Sequence, residues 1–115
     1  METEDFYCDF VLNNKIEVEK VYETENVLAY HHTKPFWETH IVVIPKKHIA
    51  SIFAVEDEDR NLLLELFEVI RKVADEVVAE KDAARILSNT GNYQESKHLH
   101  IHINSGKQIR DDKTF

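Results

Sequence analysis

The sequence predicts an α+β domain: an antiparallel β-sheet of about five strands with one long and one short helix, the long helix packed on one face. Three observations point to it. Apolar residues recur at three- and four-residue spacing from about Asp57 to Glu80, which is a helical period. Short segments rich in β-branched residues flank turn-prone residues and read as strands. Near the C-terminus, Lys97-His98-Leu99-His100-Ile101-His102-Ile103 alternates strictly, with the period of a strand.

Taken in order, residues 5–12 (Asp5-Phe6-Tyr7-Cys8-Asp9-Phe10-Val11-Leu12) suit a short helix ended by Asn13-Asn14. Val18 to Glu23 and Val27 to His31 read as two strands joined at Thr24-Glu25-Asn26, a hairpin. His31 to Thr39 reads as a connection containing Pro35, Phe36 and Trp37, and His40 to Ile44 as a strand stopped by Pro45. The long helix carries Leu63, Leu66, Phe67, Ile70, Val73, Ala74 and Val77 on its apolar face, and Glu56-Asp57-Glu58-Asp59 puts negative charge at its start. Leu62 and Leu64 beside Leu63, with Val69 and Val78, spread apolar character beyond that face. Arg85 to Ser88 reads as a strand, and Asn89 to Lys97 as a loop into the histidine strand. The only two glycines, Gly91 and Gly106, bracket that strand.

Composition bounds the function. A chain of 115 residues makes one domain, residues 1–115. The net charge of −8 argues against a nucleic-acid backbone as partner but leaves room for a small nucleotide in a locally basic pocket. No apolar run is long enough to span a bilayer. The acidic N-terminus lacks the pattern of a signal peptide, and the single Cys8 suits a reducing cytoplasm.

The alternation puts His98, His100 and His102 on one face of their strand, toward a cleft or solvent, and Leu99, Ile101 and Ile103 toward the core. A solvated face would more commonly carry Thr, Lys or Glu. Imidazole is nucleophile, base and acid near neutral pH, so three in register point to chemistry. The whole ladder is badly spaced for one metal ion, because the outer Cα atoms lie roughly 13 Å apart at ~3.3 Å per residue, although an adjacent pair could share one. A central histidine flanked by two others suits a nucleophile instead.

The run His98-Leu99-His100-Ile101-His102-Ile103-Asn104 resembles the signature of the histidine triad (HIT) family. A second block supports the resemblance: Leu28-Ala29-Tyr30-His31-His32-Thr33-Lys34-Pro35, then His40-Ile41-Val42-Val43-Ile44-Pro45-Lys46-Lys47-His48-Ile49. A third is Asn89-Thr90-Gly91 with Gln94 four residues before the triad. The likeness runs from about Phe6 to Gly106. It implies a homodimer that binds purine nucleotides, cleaves at the α-phosphate and needs no cofactor. Carried over by position, His100 is the nucleophile, His98 and His40 its orienting partners, and His102 a contact to the phosphate or leaving group. The resemblance gives Asn89 and Gln94 to the phosphate, and Tyr30 and His31 to the wall of the base pocket.

Departures from the family pattern bear on the substrate. His32 stands where the nucleotide-binding branch has an Asp for the ribose hydroxyls, so the resemblance implies a weakened grip on the sugar. Tyr93 replaces a glycine, Glu95 a small hydroxyl residue and Asn104 a hydrophobic one, and the loop from Asn89 to His98 is shorter than in the phosphoramidase branch. Some relatives bind zinc through a Cys-x-x-Cys pair, the Pro-Lys-x-His histidine and the first triad histidine. The corresponding set here is Asp5, Cys8, His48 and His98, against the plainer reading of Cys8 as an apolar packing residue. Phe36 and Trp37 read as packing residues, with shaping a pocket as the alternative, and Lys46-Lys47 as a solvated pair near a helix start, with a phosphate contact as the alternative. The competing functions are a non-catalytic nucleotide-binding regulator and a metal-dependent hydrolase.

Overall fold

The computed structural model describes residues 7–110. Its five strands are β1 (Lys20–Glu23), β2 (Val27–His31), β3 (Trp37–Pro45), β4 (Arg85–Leu87) and β5 (Ile101–Gln108), and the long helix is α1 (Arg60–Lys81). The strands form one antiparallel sheet in the order β1-β2-β3-β5-β4.

The hairpin between β1 and β2 is held from the helix. Glu65 on α1 accepts hydrogen bonds from Thr24 Oγ1 (2.5 Å), the Asn26 backbone N–H (3.0 Å) and Asn26 Nδ2 (3.0 Å). The first strand starts at Lys20, two residues later than its sequence suggests. β3 starts earlier than expected, at Trp37 rather than His40. Trp37 and Thr39 lie opposite Gln108 and Ser105 across an irregularity in the pairing, so the end of the expected connection is strand. Pro45 does not stop β3 but is its last residue, opposite Val27, where a missing N–H is tolerated.

The same proline explains where β5 begins. The histidine run does not form a ladder from His98; regular pairing starts at Ile101, opposite Val43. Beyond that point the Pro45 carbonyl is taken by His98 Nε2 (2.8 Å), and the Leu99 N–H donates to the Ile49 carbonyl (2.6 Å). His98, Leu99 and His100 keep an extended course without belonging to the strand.

α1 is entered through a 3₁₀ turn, Asp57–Asp59, in which Glu56 and Asp59 form a reciprocal capping box. It ends at Asp82, whose left-handed φ of 73° lets its N–H close back on the Val78 carbonyl (2.8 Å). Leu66, Val69, Ile70, Val73, Ala74 and Val77 face the sheet. Phe67 does not: it lies about 100° round the helix from Leu66 and is 68% exposed, whereas Val69 joins the core.

Both faces of the sheet are covered. Against α1 pack Val27, Ala29, Ile41, Val43, Leu99, Ile101 and Ile103. On the other face, Leu28, Tyr30, Val42 and Ile44 pack with Tyr7 and Val11 of an N-terminal π-helical turn, Tyr7–Val11. This turn is the described part of the expected short helix, whose first two residues lie outside the described residues. Asn14, with a φ of 64°, follows it.

Candidate active site

The second face of the sheet carries the histidines. Period-two alternation sends Ile41 and Val43 of β3 and Ile101 and Ile103 of β5 to the helix, so His40, His102 and Asn104 face the other way. His40 lies opposite Asn104 and His102 opposite Val42. All three triad imidazoles and His40 are buried, contrary to the expected opening toward a cleft or solvent.

Their hydrogen bonds fix which nitrogens carry protons. The Phe36 backbone N–H donates to His40 Nδ1 (3.0 Å), so a neutral His40 holds its proton on Nε2. That N–H donates to His102 Nδ1 (2.9 Å), which leaves the His102 proton on the buried Nε2. His100 Nδ1 lies 2.7 Å from the His98 carbonyl, which can only accept, so the His100 lone pair is on Nε2. The His100 and His102 rings meet edge to face at 5.0 Å, and Tyr7 lies 4.9 Å from His100.

Two expected roles change on this geometry. His40 hydrogen-bonds His102 rather than His100. His98 orients His100 through its main-chain carbonyl, while its ring points away, with Nε2 on the Pro45 carbonyl and Nδ1 3.3 Å from Cys8 Sγ.

Burial sets the charge state. It holds His102 down to about 2, helped by the neighbouring His100, His40 and His32. His40 falls to about 3, by burial and then His32; His32 falls to about 4, by burial, then His100 and Arg110. These rings are neutral near neutral pH, so His102 is a neutral donor and not an imidazolium.

The binding residues inferred from sequence divide into those at the site and those away from it. Tyr30 is buried on the histidine face with its ring 6.5 Å from Tyr7. His31 is on the helix face, exposed and 3.5 Å from Glu19, so it does not join Tyr30; adjacent strand residues point to opposite sides. His32 does join the site, its ring 4.4 Å from His40 and 6.2 Å from His102. Asn89 is half-buried between β4 and the turn at Gly91, a glycine with a φ of 62°. Gln94 is buried and donates to the Ala50 carbonyl (2.6 Å), which ties down the loop before the triad. Lys46 and Lys47 are engaged by carboxylates, at 2.7 Å from Glu23 and 2.6 Å from Asp59. Ser88, which donates to the His100 carbonyl (2.8 Å), and Tyr7 are contacts without a spacing signal in the sequence.

Cys8 is not a simple packing residue. It is only half-buried, and the ligating atoms of Cys8, His48 and His98 all lie within 4.8 Å of one another. Cys8 Sγ is 3.3 Å from His98 Nδ1 and 3.9 Å from His48 Nδ1. Zinc bonds of ~2.0–2.3 Å in tetrahedral geometry put neighbouring ligands at similar separations, so the donor set fits that ion. The proton on His98 Nε2 leaves Nδ1 as the donor it would need, and the carbonyl holding that proton is a typical outer partner for a metal-bound histidine. Asp5, the fourth residue of the set, lies outside the described residues.

The HIT domain family matches over residues 13–109. A 13.2 kDa HIT-like protein of Azospirillum brasilense is 37% identical over 103 residues, covering 86% of this chain and 84% of its own length. Among solved structures, a HIT family hydrolase from Legionella pneumophila aligns with a TM-score of 0.78 at 30% identity, covering 96% of this chain and 99% of that one. A protein from Sulfolobus tokodaii described as a hypothetical histidine triad nucleotide-binding protein aligns with a TM-score of 0.77 at 31% identity, covering 95% of this chain and 75% of that one.

The neutral histidines make stability depend on pH in a defined window. An unfolded histidine titrates near ~6.5. The folded values of His40 and His102 lie below that, so the unfolded state binds more protons. Their contribution is complete above the unfolded value and is lost as pH falls through it toward the folded values. Each should cost about 1–2 kcal/mol between pH ~6.5 and ~5. Glu23, Asp59 and Glu65 act with the same sign, but only below the ordinary carboxylate range. Urea unfolding across this window should show the loss, and His102→Asn should flatten it; an unchanged slope in that variant would contradict a neutral buried His102.

Proposed function

The chain belongs to the HIT domain family, and on that premise we propose that it is a nucleotide-binding hydrolase or transferase. It cleaves a nucleotide conjugate at the α-phosphate through a nucleotidyl-histidine on His100. The observation that carries this reading is the pairing of His100 Nδ1–H with the His98 carbonyl, which aims an Nε2 lone pair away from the main chain.

The chemistry follows from the tautomers. His100 Nε2 attacks phosphorus, and the bond to the leaving group breaks with its electron pair. The positive charge that develops on the His100 ring is offset by the His98 carbonyl at Nδ1. His102 Nε2–H donates to a phosphoryl oxygen or to the departing group, and His40 keeps that donor in place. Water then cleaves the nitrogen–phosphorus bond, or another acceptor takes the nucleotidyl group. A lone pair on His100 Nε2 is needed at every turnover, and burial keeps the neighbouring His102 and His40 rings uncharged.

A resident zinc held by Cys8, His48 and His98 would brace the N-terminal turn against the start of the histidine run. Its chemistry there is structural, because His98 Nδ1 points to Cys8 and not toward the His100 lone pair.

The assembly we propose is a homodimer. Leu64 (60% exposed), Phe67 and Val78 lie on one side of α1, and Phe53 (81%), in a separate 3₁₀ turn, Ile52–Ala54, is also exposed. Such a patch suits a two-fold contact with a second copy. The reducing cytoplasm is the compartment that the single cysteine favours.

Three experiments test these readings. Rapid quenching with a nucleoside phosphoramidate should trap a nucleotidyl group on His100, and His100→Asn should lose turnover by several orders of magnitude while still binding nucleotide. Turnover at the native rate in that variant would remove His100 from its role. Chelation should lower the melting temperature and leave the turnover of the folded protein unchanged; loss of activity without loss of stability would favour a metal-dependent hydrolase. Light scattering at micromolar concentration should find a dimer that Phe67→Glu converts to a folded monomer. A native monomer would refute the interface.

A further inference from the structure

His32 is a donor, not an acceptor, and this changes what it can recognise. Its Nδ1 accepts the Lys34 backbone N–H at 3.0 Å within a tight turn. The neutral ring then holds its proton on Nε2, and no acceptor remains for a sugar hydroxyl. The resemblance implies only a weakened grip of His32 on the sugar, and the Lys34 N–H takes up the one acceptor nitrogen of the neutral ring.

Three neighbours fix where this donor sits. The His32 ring lies 4.4 Å from His40 at an angle of 30°, beside the pair that ends in the His102 donor. Phe36 meets its edge at 5.8 Å. The Arg110 guanidinium lies over the same Phe36 ring, 4.5 Å from its centroid. Phe36 thus contacts both an imidazole and a guanidinium, next to the His40–His102 pair. His32 is partly exposed and Arg110 exposed, so solvent reaches both. A guanidinium has five N–H donors in a fork that matches phosphate oxygens. Burial keeps His32 uncharged, and His100 and then Arg110 act in the same direction.

We propose that His32 and Arg110 form a second anion subsite beside the catalytic pocket, which takes a second phosphate of the substrate. The proposal rests on the reading that His100 receives the α-phosphoryl group of a nucleotide. The second phosphate is borne either on the ribose or on the polyphosphate chain, and both present the same oxygens to these donors. On a chain of net charge −8, general attraction does not bring a dianion here; local donors must.

Calorimetric titration of the full-length protein with 5′-AMP, 5′-ADP and adenosine 3′,5′-bisphosphate tests this. At least one of the two doubly phosphorylated ligands should bind about tenfold or more tightly than 5′-AMP, as expected for charge-assisted hydrogen bonds. The ligand that gains identifies the source of the phosphate. His32→Asp keeps an acceptor for the Lys34 N–H while replacing the outward donor with a charge of the wrong sign. It should abolish the gain. Arg110→Gln, at an exposed position, should reduce the gain with the fold unaltered, and it serves as the test if His32→Asp melts early. Equal affinity for all three ligands, or a gain that survives both variants, overturns the subsite alone. If none of the three binds, the nucleotide reading falls and the subsite with it.

Discussion

The pairing of β3 with β5 is the constraint on which the rest depends. It brings His40 and His102, far apart in sequence, to 2.9 Å. Side chains alternate across a sheet, so a slip of one residue would turn His102 to the helix and Ile103 to the site. Ile41, Val43, Ile101 and Ile103 oppose that slip because each is buried against α1. The apolar packing on one face therefore sets the register of the chemistry on the other.

Within that register, one backbone amide sets the tautomers. The Phe36 N–H selects the protonated nitrogen of His40, and His40 selects that of His102. The chain of choices ends at the His102 Nε2–H, and among the described residues it runs from a backbone amide through two imidazoles. A carboxylate partner would favour an imidazolium; a backbone amide and a second imidazole favour neutral rings. In the same low-dielectric surroundings a neutral donor still acts strongly on developing phosphoryl charge.

The sequence made the long helix, the five strands and the histidine alternation legible because each depends on local periodicity. It misplaced Phe67 because the apolar sequence of α1 is wider than one face, and only packing decides between Phe67 and Val69. The family resemblance put Tyr30 and His31 on one wall, whereas strand alternation places them on opposite faces of the sheet. The sequence began β3 too late because Pro35-Phe36-Trp37 looks like a loop, while the pairing of Trp37 with Gln108 is long-range. The corner formed by Cys8, His48 and His98 was suggested by family resemblance alone, since contacts across forty and ninety residues leave no local trace. Tyr7, now set against His100, had no signal beyond an aromatic residue in a short helix.

His98 joins the two halves of the site in a way its position in the triad disguises. Its carbonyl receives His100 Nδ1–H, and its ring spans from the Pro45 carbonyl to Cys8. Pro45 has no N–H and so cannot extend the ladder at this point; its carbonyl, left over, anchors the imidazole. That anchor holds the main chain of His98 where its carbonyl meets the nucleophile. The ring therefore positions His100 through the backbone, which is why a residue remote from the attacking nitrogen is bound up with its geometry. Fixing an imidazole by a main-chain carbonyl also leaves both its nitrogens committed, one to structure and one to the cysteine corner. The first triad histidine is thus held by structural contacts, and in the reaction proposed above the reacting groups reduce to His100, His102 and the His40 that directs it.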